Sequence, residues 1–181
     1  DKLFVLADWH GSDGAFIDRL LSYKSAGVTL IQVSYDLLPM VTPQYSGHST
    51  DTFTNYFKTV YPQCDLILSI SEHTKKDIIA NLKADKLTIP PVRVFRLGDD
   101  FEHSTARKPE GIVDNKPYIL CVGTIEARKN HALLYYVYKL ARQKSINLPK
   151  IVIVGRRGWK SEDIYEIITK DPHTKDSFVF M

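Results

Sequence analysis

Strand-like apolar runs and amphipathic helical stretches alternate along this chain from end to end, which restricts it to a mostly parallel α/β architecture. Leu3-Phe4-Val5-Leu6-Ala7 reads as a buried strand. Asp13 can cap a helix whose apolar face is Phe16, Ile17, Leu20 and Leu21, ending near Gly27. Thr29 to Ser34 reads as a second strand, and Pro39, Pro43 and Gly47 then mark a loop. Thr50 opens a helix with Phe53, Tyr56, Phe57, Val60 and Tyr61 on one stripe. Asp65 to Ile70 is a third strand, Ser71 caps a helix through Leu82, and Val92 to Leu97 is a fourth strand stopped by Gly98-Asp99-Asp100.

Residues 102–116 are polar, contain Pro109 and Gly111, and have no apolar period, which predicts a linker. It separates a unit at 1–101 from one at 117–181. The second unit reads as a buried strand over 117–122, a helix over 131–143, a strand from Lys150 to Val154 ended by Gly155, a helix capped by Ser161, and a last strand Phe178-Val179-Phe180. Parallel strands joined this way call for right-handed crossovers. Three strands are few for a sheet covered on both faces, so the second unit is expected to be incomplete and the chain to be part of a larger protein.

The apolar share of 44% and charged share of 25% fit a globular protein with a core. A net charge of +3 is too small to argue for nucleic acid. No apolar run reaches the roughly eighteen residues of a membrane span, and no signal-peptide pattern opens the chain. Cys64 and Cys121 are far apart, and Cys121, inside an apolar strand, reads as a small core thiol in a reducing compartment. No Cys/His spacing suggests zinc, and the six histidines are expected to be solvated or satisfied in the core. No G-x-G-x-x-G follows a strand, which argues against a nicotinamide-dependent oxidoreductase.

The richest stretch is Gly123-Thr124-Ile125-Glu126-Ala127-Arg128-Lys129-Asn130-His131. A glycine ends a strand, two cations follow, and a helix begins. The first amides of a helix lack intrahelical partners and sit at its positive end, so this is a place for an anion bearing phosphates. A solvated turn is the alternative. The other strand-end turns are Trp9-His10-Gly11, Tyr35-Asp36, Ser71-Glu72, Gly98-Asp99 and Gly155 to Gly158. In open parallel sheets such turns line a ligand site, here expected in a cleft between the units and suited to a nucleotide.

Leu120 to Asn130 resembles the start of the second domain of group 1 (family 4) retaining glycosyltransferases of the GT-B fold. Tyr35-Asp36-Leu37-Leu38-Pro39, with Pro43, resembles the acceptor-side loop of their first domain. Asp65 to Thr74 with Asp77-Ile78, and Lys150 to Gly155 with Gly158-Trp159, resemble further segments in the family's order, and Asp8-Trp9 fits an upstream strand end. The resemblance covers nearly the whole chain. It implies two Rossmann-like parallel-sheet units and transfer of a hexose, with retention, from a nucleotide-diphosphate sugar to a glycan or lipid-linked acceptor in polysaccharide biosynthesis. GDP-mannose is favoured over a uridine donor, and no metal or other cofactor is implied.

In that reading the departing diphosphate gathers negative charge. Lys129 is the first candidate to meet it and Arg128 the second, helped by the amides near Asn130 and His131. Gly123 would admit the donor close to the backbone, Thr124 would offer a hydroxyl, and Gly155 and Arg156 would complete the donor side. Some relatives carry arginine at the Thr124 position. Tyr35, Asp36 and Ser71 form the acceptor side, with Tyr35 standing where relatives often carry histidine. Asp36 can equally hold a turn before Pro39, Ser71 with Thr74 can be a helix cap, and Arg156 with Arg157 can be a solvated turn. Tyr135, Tyr136 and Tyr138 read as helix packing, and Gly98 as a hinge.

The family's glutamate pair, seven residues apart, and its opening glycine-rich loop are absent from this stretch. The chain alone is therefore expected to transfer sugar poorly. A non-catalytic nucleotide- or sugar-binding module, or a partner subunit, is the competing reading. Location is expected to be cytoplasmic, with the basic balance favouring the inner face of a membrane, where lipid-linked acceptors sit.

Overall fold

The computed structural model describes residues 2–9, 14–46, 50–98 and 116–181. The expected cap Asp13, the turn residues His10 and Gly11, the loop residue Gly47, the strand stop Asp99-Asp100 and nearly all of the expected linker lie outside them. The chain divides into two compact units, Asp1–Phe101 and Glu102–Met181.

In the first unit β1 (Leu3–Leu6), β2 (Thr29–Ser34), β3 (Leu66–Ser69) and β4 (Val92–Val94) form a parallel sheet in that order. Between them run α1 (Gly14–Ser25), α3 (Thr50–Val60) and α4 (Glu72–Ala84). The stripe on α3 is buried as expected: Phe53, Tyr56, Phe57 and Val60 join Leu20, Ile67, Ile78 and Leu82 in one core. Ser71 caps α4, its Oγ accepting from the Thr74 amide at 3.1 Å. Gly27, at φ 80°, follows α1.

Several expectations need correction. The stretch after Pro39 is not plain loop: it holds a helical turn α2 (Leu38–Val41) and a 3-10 turn at Pro43–Tyr45, because each proline sits in a first turn where no amide is needed. Strand β4 ends at Val94, three residues short of Leu97. In β1 only one face is covered: Leu6 is buried while Leu3 and Val5 are 60% and 50% exposed. Strands laid down in sequence order with right-handed crossovers place their helices on one face, so among the described residues the other face of β1 stays open.

The second unit pairs β5 (Tyr118–Val122), β6 (Lys150–Val154) and β7 (Phe178–Phe180) in parallel, with α5 (His131–Gln143) and α6 (Glu162–Lys170) between them. Its core is Ile125, Ile151, Ile153, Ile168 and Phe178. Strand β5 is not buried: among the described strands it pairs only with β6, and Leu120 and Val122 are 55% and 71% exposed. Ser161 does not cap α6 through its side chain; its Oγ donates to the Gly158 carbonyl at 2.7 Å instead. Of the expected tyrosine packing, Tyr138 lies against Phe178, whereas Tyr136 is exposed. Both cysteines are free thiols. Cys64 is buried, which pushes its thiol up to about 12, and Cys121 is half-buried against the second core. Among the described residues no helix is long and apolar enough to cross a membrane.

Candidate functional site

Strands β5 and β6 are neighbours, and both run into glycine at their carboxyl ends. Gly123 has φ 149° and Gly155 φ 159°, a region that side chains disfavour. The Gly123 amide donates to Val154 and that of Gly155 to Met181, so the ladder continues to the sheet's edge. A Cβ on Gly155 would meet the Gly123 carbonyl oxygen at 2.1 Å and the Thr124 nitrogen at 3.2 Å. The two turns are then stitched together, Ile125 N donating to Arg156 O and Gly158 N to Ile125 O. The side chain of Thr124 lies against Gly158, where a Cβ would meet its Cγ2 at 2.6 Å.

Beyond Ile125 the chain makes a 3-10 turn at Ala127–Lys129, and Asn130 takes the left-handed conformation at φ 51° before α5 starts. That turn uses the Lys129 amide on Glu126 O and the Asn130 amide on Ala127 O. The Asn130 amide, expected to be open to an anion, is therefore occupied, and its side chain caps nothing. The fold thus brings Gly123, Thr124, Gly155 and Lys129 together. Lys129 is exposed, its Cε 4.0 Å from where a Gly123 Cβ would stand, and it has no ion-pair partner among the described residues. Arg128 differs: its guanidinium donates to Glu126 Oε1 at 2.6 Å, and Glu126 is buried. Arg156 is exposed and its backbone carbonyl accepts from the Ile125 amide, while Arg157 lies over the Tyr165 ring.

His131, expected to be solvated or satisfied, is neither. It is 2% exposed at the first residue of α5, and among the described residues neither ring nitrogen makes a hydrogen bond of good geometry, the Glu126 backbone being the nearest to one. Burial holds its imidazole below the ordinary range and Lys129 pushes the same way, against the pull of Glu126. Sequence reasoning missed the burial of Glu126 and His131, because a turn so rich in charge reads as solvated.

In the first unit a cavity of about 200 Å³ opens at the carboxyl ends of β1 and β2, lined by Asp8, Trp9, Ser34, Tyr35, Asp36 and Tyr61 among others. Asp36 Oδ1 accepts from the Leu38 amide at 3.0 Å, the turn-holding role considered for it, while the residue also faces the cavity. The Tyr35 carbonyl accepts from Thr74 Oγ1 at 3.1 Å. Ser71 is spent on its cap and is not among the lining residues. Tyr61 donates to Ser34 Oγ at 3.0 Å, and Trp9 packs edge-on with Phe53 at 5.1 Å between ring centroids. The signal for this cavity was present in the paired strand ends Asp8-Trp9 and Tyr35-Asp36, each an acid beside an aromatic.

No protein-family model matches the chain. Comparison with curated proteins finds the serotype-specific mannosyltransferase WbdA of Escherichia coli, 27% identical over 175 residues, which is 86% of this chain and 21% of that protein. It also finds the N-acetylgalactosamine-N,N'-diacetylbacillosaminyl-diphospho-undecaprenol 4-alpha-N-acetylgalactosaminyltransferase of Campylobacter jejuni, 31% identical over 120 residues, 65% of this chain and 31% of that one. The relatives are glycosyltransferases, and the chain spans about a fifth of the length of the first of them. Among solved structures TarM matches with TM-score 0.56 and 13% identity over 85% of this chain and 28% of that one. An S. aureus TarM variant in complex with fondaparinux, alpha-GlcNAc-glycerol and UDP matches with TM-score 0.54 and 12% identity over 84% and 28%. The architecture, α/β with two parallel sheets, is that of GT-B glycosyltransferases.

Proposed function

We propose that this chain is part of a retaining glycosyltransferase that moves a hexose, mannose favoured, from a nucleotide-diphosphate sugar to a glycan or lipid-linked acceptor in polysaccharide biosynthesis. The first unit is the acceptor side, 117–181 is the start of the donor side, and 102–116 joins them. The observation that carries the reading is the open space at Gly123, where a Cβ would meet nothing closer than Lys129 Cε at 4.0 Å, together with Lys129 itself, which is exposed and has no ion-pair partner among the described residues. The mannosyltransferase similarity supports mannose, and the UDP held by the TarM variant supports a nucleotide ligand for this fold.

When the bond between sugar C1 and the diphosphate breaks, its electrons leave on a phosphate oxygen. The acceptor hydroxyl bonds to C1 on the same face and gives its proton to that departing oxygen. Charge builds on the leaving group, and a fixed cation beside it lowers the barrier. Lys129 supplies that cation, with Arg128, anchored by Glu126, behind it, so the reading takes no metal. Asn130, Thr124 and Arg156 complete the donor side. Work at the inner, cytoplasmic face of a membrane would place the enzyme beside lipid-linked acceptors.

Titration of the chain with GDP, UDP and their mannose and glucose derivatives tests this. Lys129→Ala should weaken every diphosphate by about tenfold or more, because the contact is to the leaving group and not to the base. Loss confined to one nucleotide overturns the role of Lys129. Binding by the whole protein without turnover supports the non-catalytic module instead.

A further inference from the structure

The aromatic cavity in the first unit carries a selectivity that the transferase reading leaves open, and the inference below rests on that reading. We propose that it receives the terminal sugar ring of the acceptor and selects an uncharged, hydroxyl-bearing ring over a phosphorylated or uronic-acid ring.

Size comes first: about 200 Å³ has room for one sugar ring. The walls set the chemistry. Trp9 and Tyr35 offer flat apolar surface with polar edges, which suits the C–H faces and rim hydroxyls of a pyranose, and the buried Tyr61 closes the wall beneath them. Trp9 is held by its edge-on contacts with Phe53 at 5.1 Å and Tyr56 at 6.5 Å, so the surface is fixed before a ligand arrives. Among the described residues the charged ones that line it, Asp8 and Asp36, are both negative. Each spends one oxygen locally: Asp8 Oδ1 accepts from the Trp9 amide at 2.7 Å and Asp36 Oδ1 from the Leu38 amide.

A carboxylate accepts hydrogen bonds and donates none. Neighbouring hydroxyls of a neutral sugar satisfy the free carboxylate oxygens, whereas a phosphate or uronate brings acceptors and a like charge to the same place. Burial is the main reason that the Tyr61 phenol is held above its ordinary range, but Asp8 and Asp36 both add to the effect, so their field reaches the cavity wall.

The indole N–H resonance of Trp9 reports on this cavity, and that of Trp159, in the other unit, serves as the control. The probes are methyl α-mannoside and methyl α-glucoside against mannose 6-phosphate and methyl α-glucuronide. Neutral rings should shift Trp9, leave Trp159 unmoved, and bind at least about tenfold tighter than charged ones at low salt. Asp8→Asn and Asp36→Asn, which keep the oxygen for the local amide, should each narrow that gap. Equal binding of charged and neutral rings, or no shift of Trp9 by any sugar, overturns the proposal. A parallel nucleotide titration tells the failures apart. If diphosphates bind through Lys129 but no sugar moves Trp9, the cavity inference falls and the transferase reading stands. If neutral sugars move Trp9 but no diphosphate binds, the transferase reading falls, and the cavity's role as an acceptor site falls with it.

Discussion

A side-chain carbon on Gly155 would stand 2.1 Å from the carbonyl oxygen of Gly123, well inside any tolerable contact. The neighbour is backbone, held by ladder bonds, and cannot rotate away. Gly155→Ala should therefore destabilise the second unit by about 2 kcal/mol or more, read by denaturant unfolding. Gly158→Ala meets a threonine methyl at 2.6 Å and the Ile125 carbonyl oxygen only at 3.3 Å, so its cost should be smaller, and Thr124→Ser, which removes that methyl, should recover part of it. Equal costs at the two glycines would contradict the geometry.

The Arg128–Glu126 pair makes a separate forecast. Arg128→Ala leaves the buried Glu126 carboxylate without its charged partner, at an expected cost of about 2 kcal/mol. Adding Glu126→Gln should return much of that stability. Lys129→Ala, with no partner to strand, should leave the melting temperature nearly unchanged while weakening diphosphate binding.

His131 predicts a loss of stability on mild acidification. Its native pKa lies below the unfolded value near 6.5, so below that pH the unfolded chain binds more protons than the native one. Stability of the second unit should be full above about pH 6.5 and should decline as the pH drops from there toward the depressed native value. His131→Phe should flatten that slope in pH-dependent unfolding. An unchanged slope would remove His131 as its source.

A second acid step belongs to Asp171. Lys139 Nζ, the His173 amide and Tyr135 Oη donate to its carboxylate and hold it well below the usual carboxylate range, Lys139 most of all. Its stabilising share is present above the unfolded value near pH 4 and is lost as the pH falls below that. Asp171→Asn should remove this acid-side step and leave the one at higher pH.

The first unit offers a test of its buried polar pairs. Tyr56 Oη donates to Gln32 Oε1 at 2.8 Å, and both residues are fully buried. Tyr56→Phe leaves that oxygen without the donor and should cost about 1–2 kcal/mol.

Alternation of strand and helix, the apolar stripe from Phe53 to Val60, the Ser71 cap and the glycines ending β5 and β6 were all legible in the residues, because each follows from local periodicity or local backbone preference. Tertiary structure decided the rest. Which face of β1 and β5 is covered depends on where the helices pack. Arg128 and Lys129 are alike as sequence, yet Arg128 is tethered and Lys129 has no ion-pair partner among the described residues, because Glu126 folds inward rather than out. Asp8-Trp9 and Tyr35-Asp36 share one cavity only because β1 and β2 pair in parallel with their carboxyl ends together. Sequence fixes what neighbours along the chain can do, and burial and pairing across it come from contacts that distance along the chain does not record.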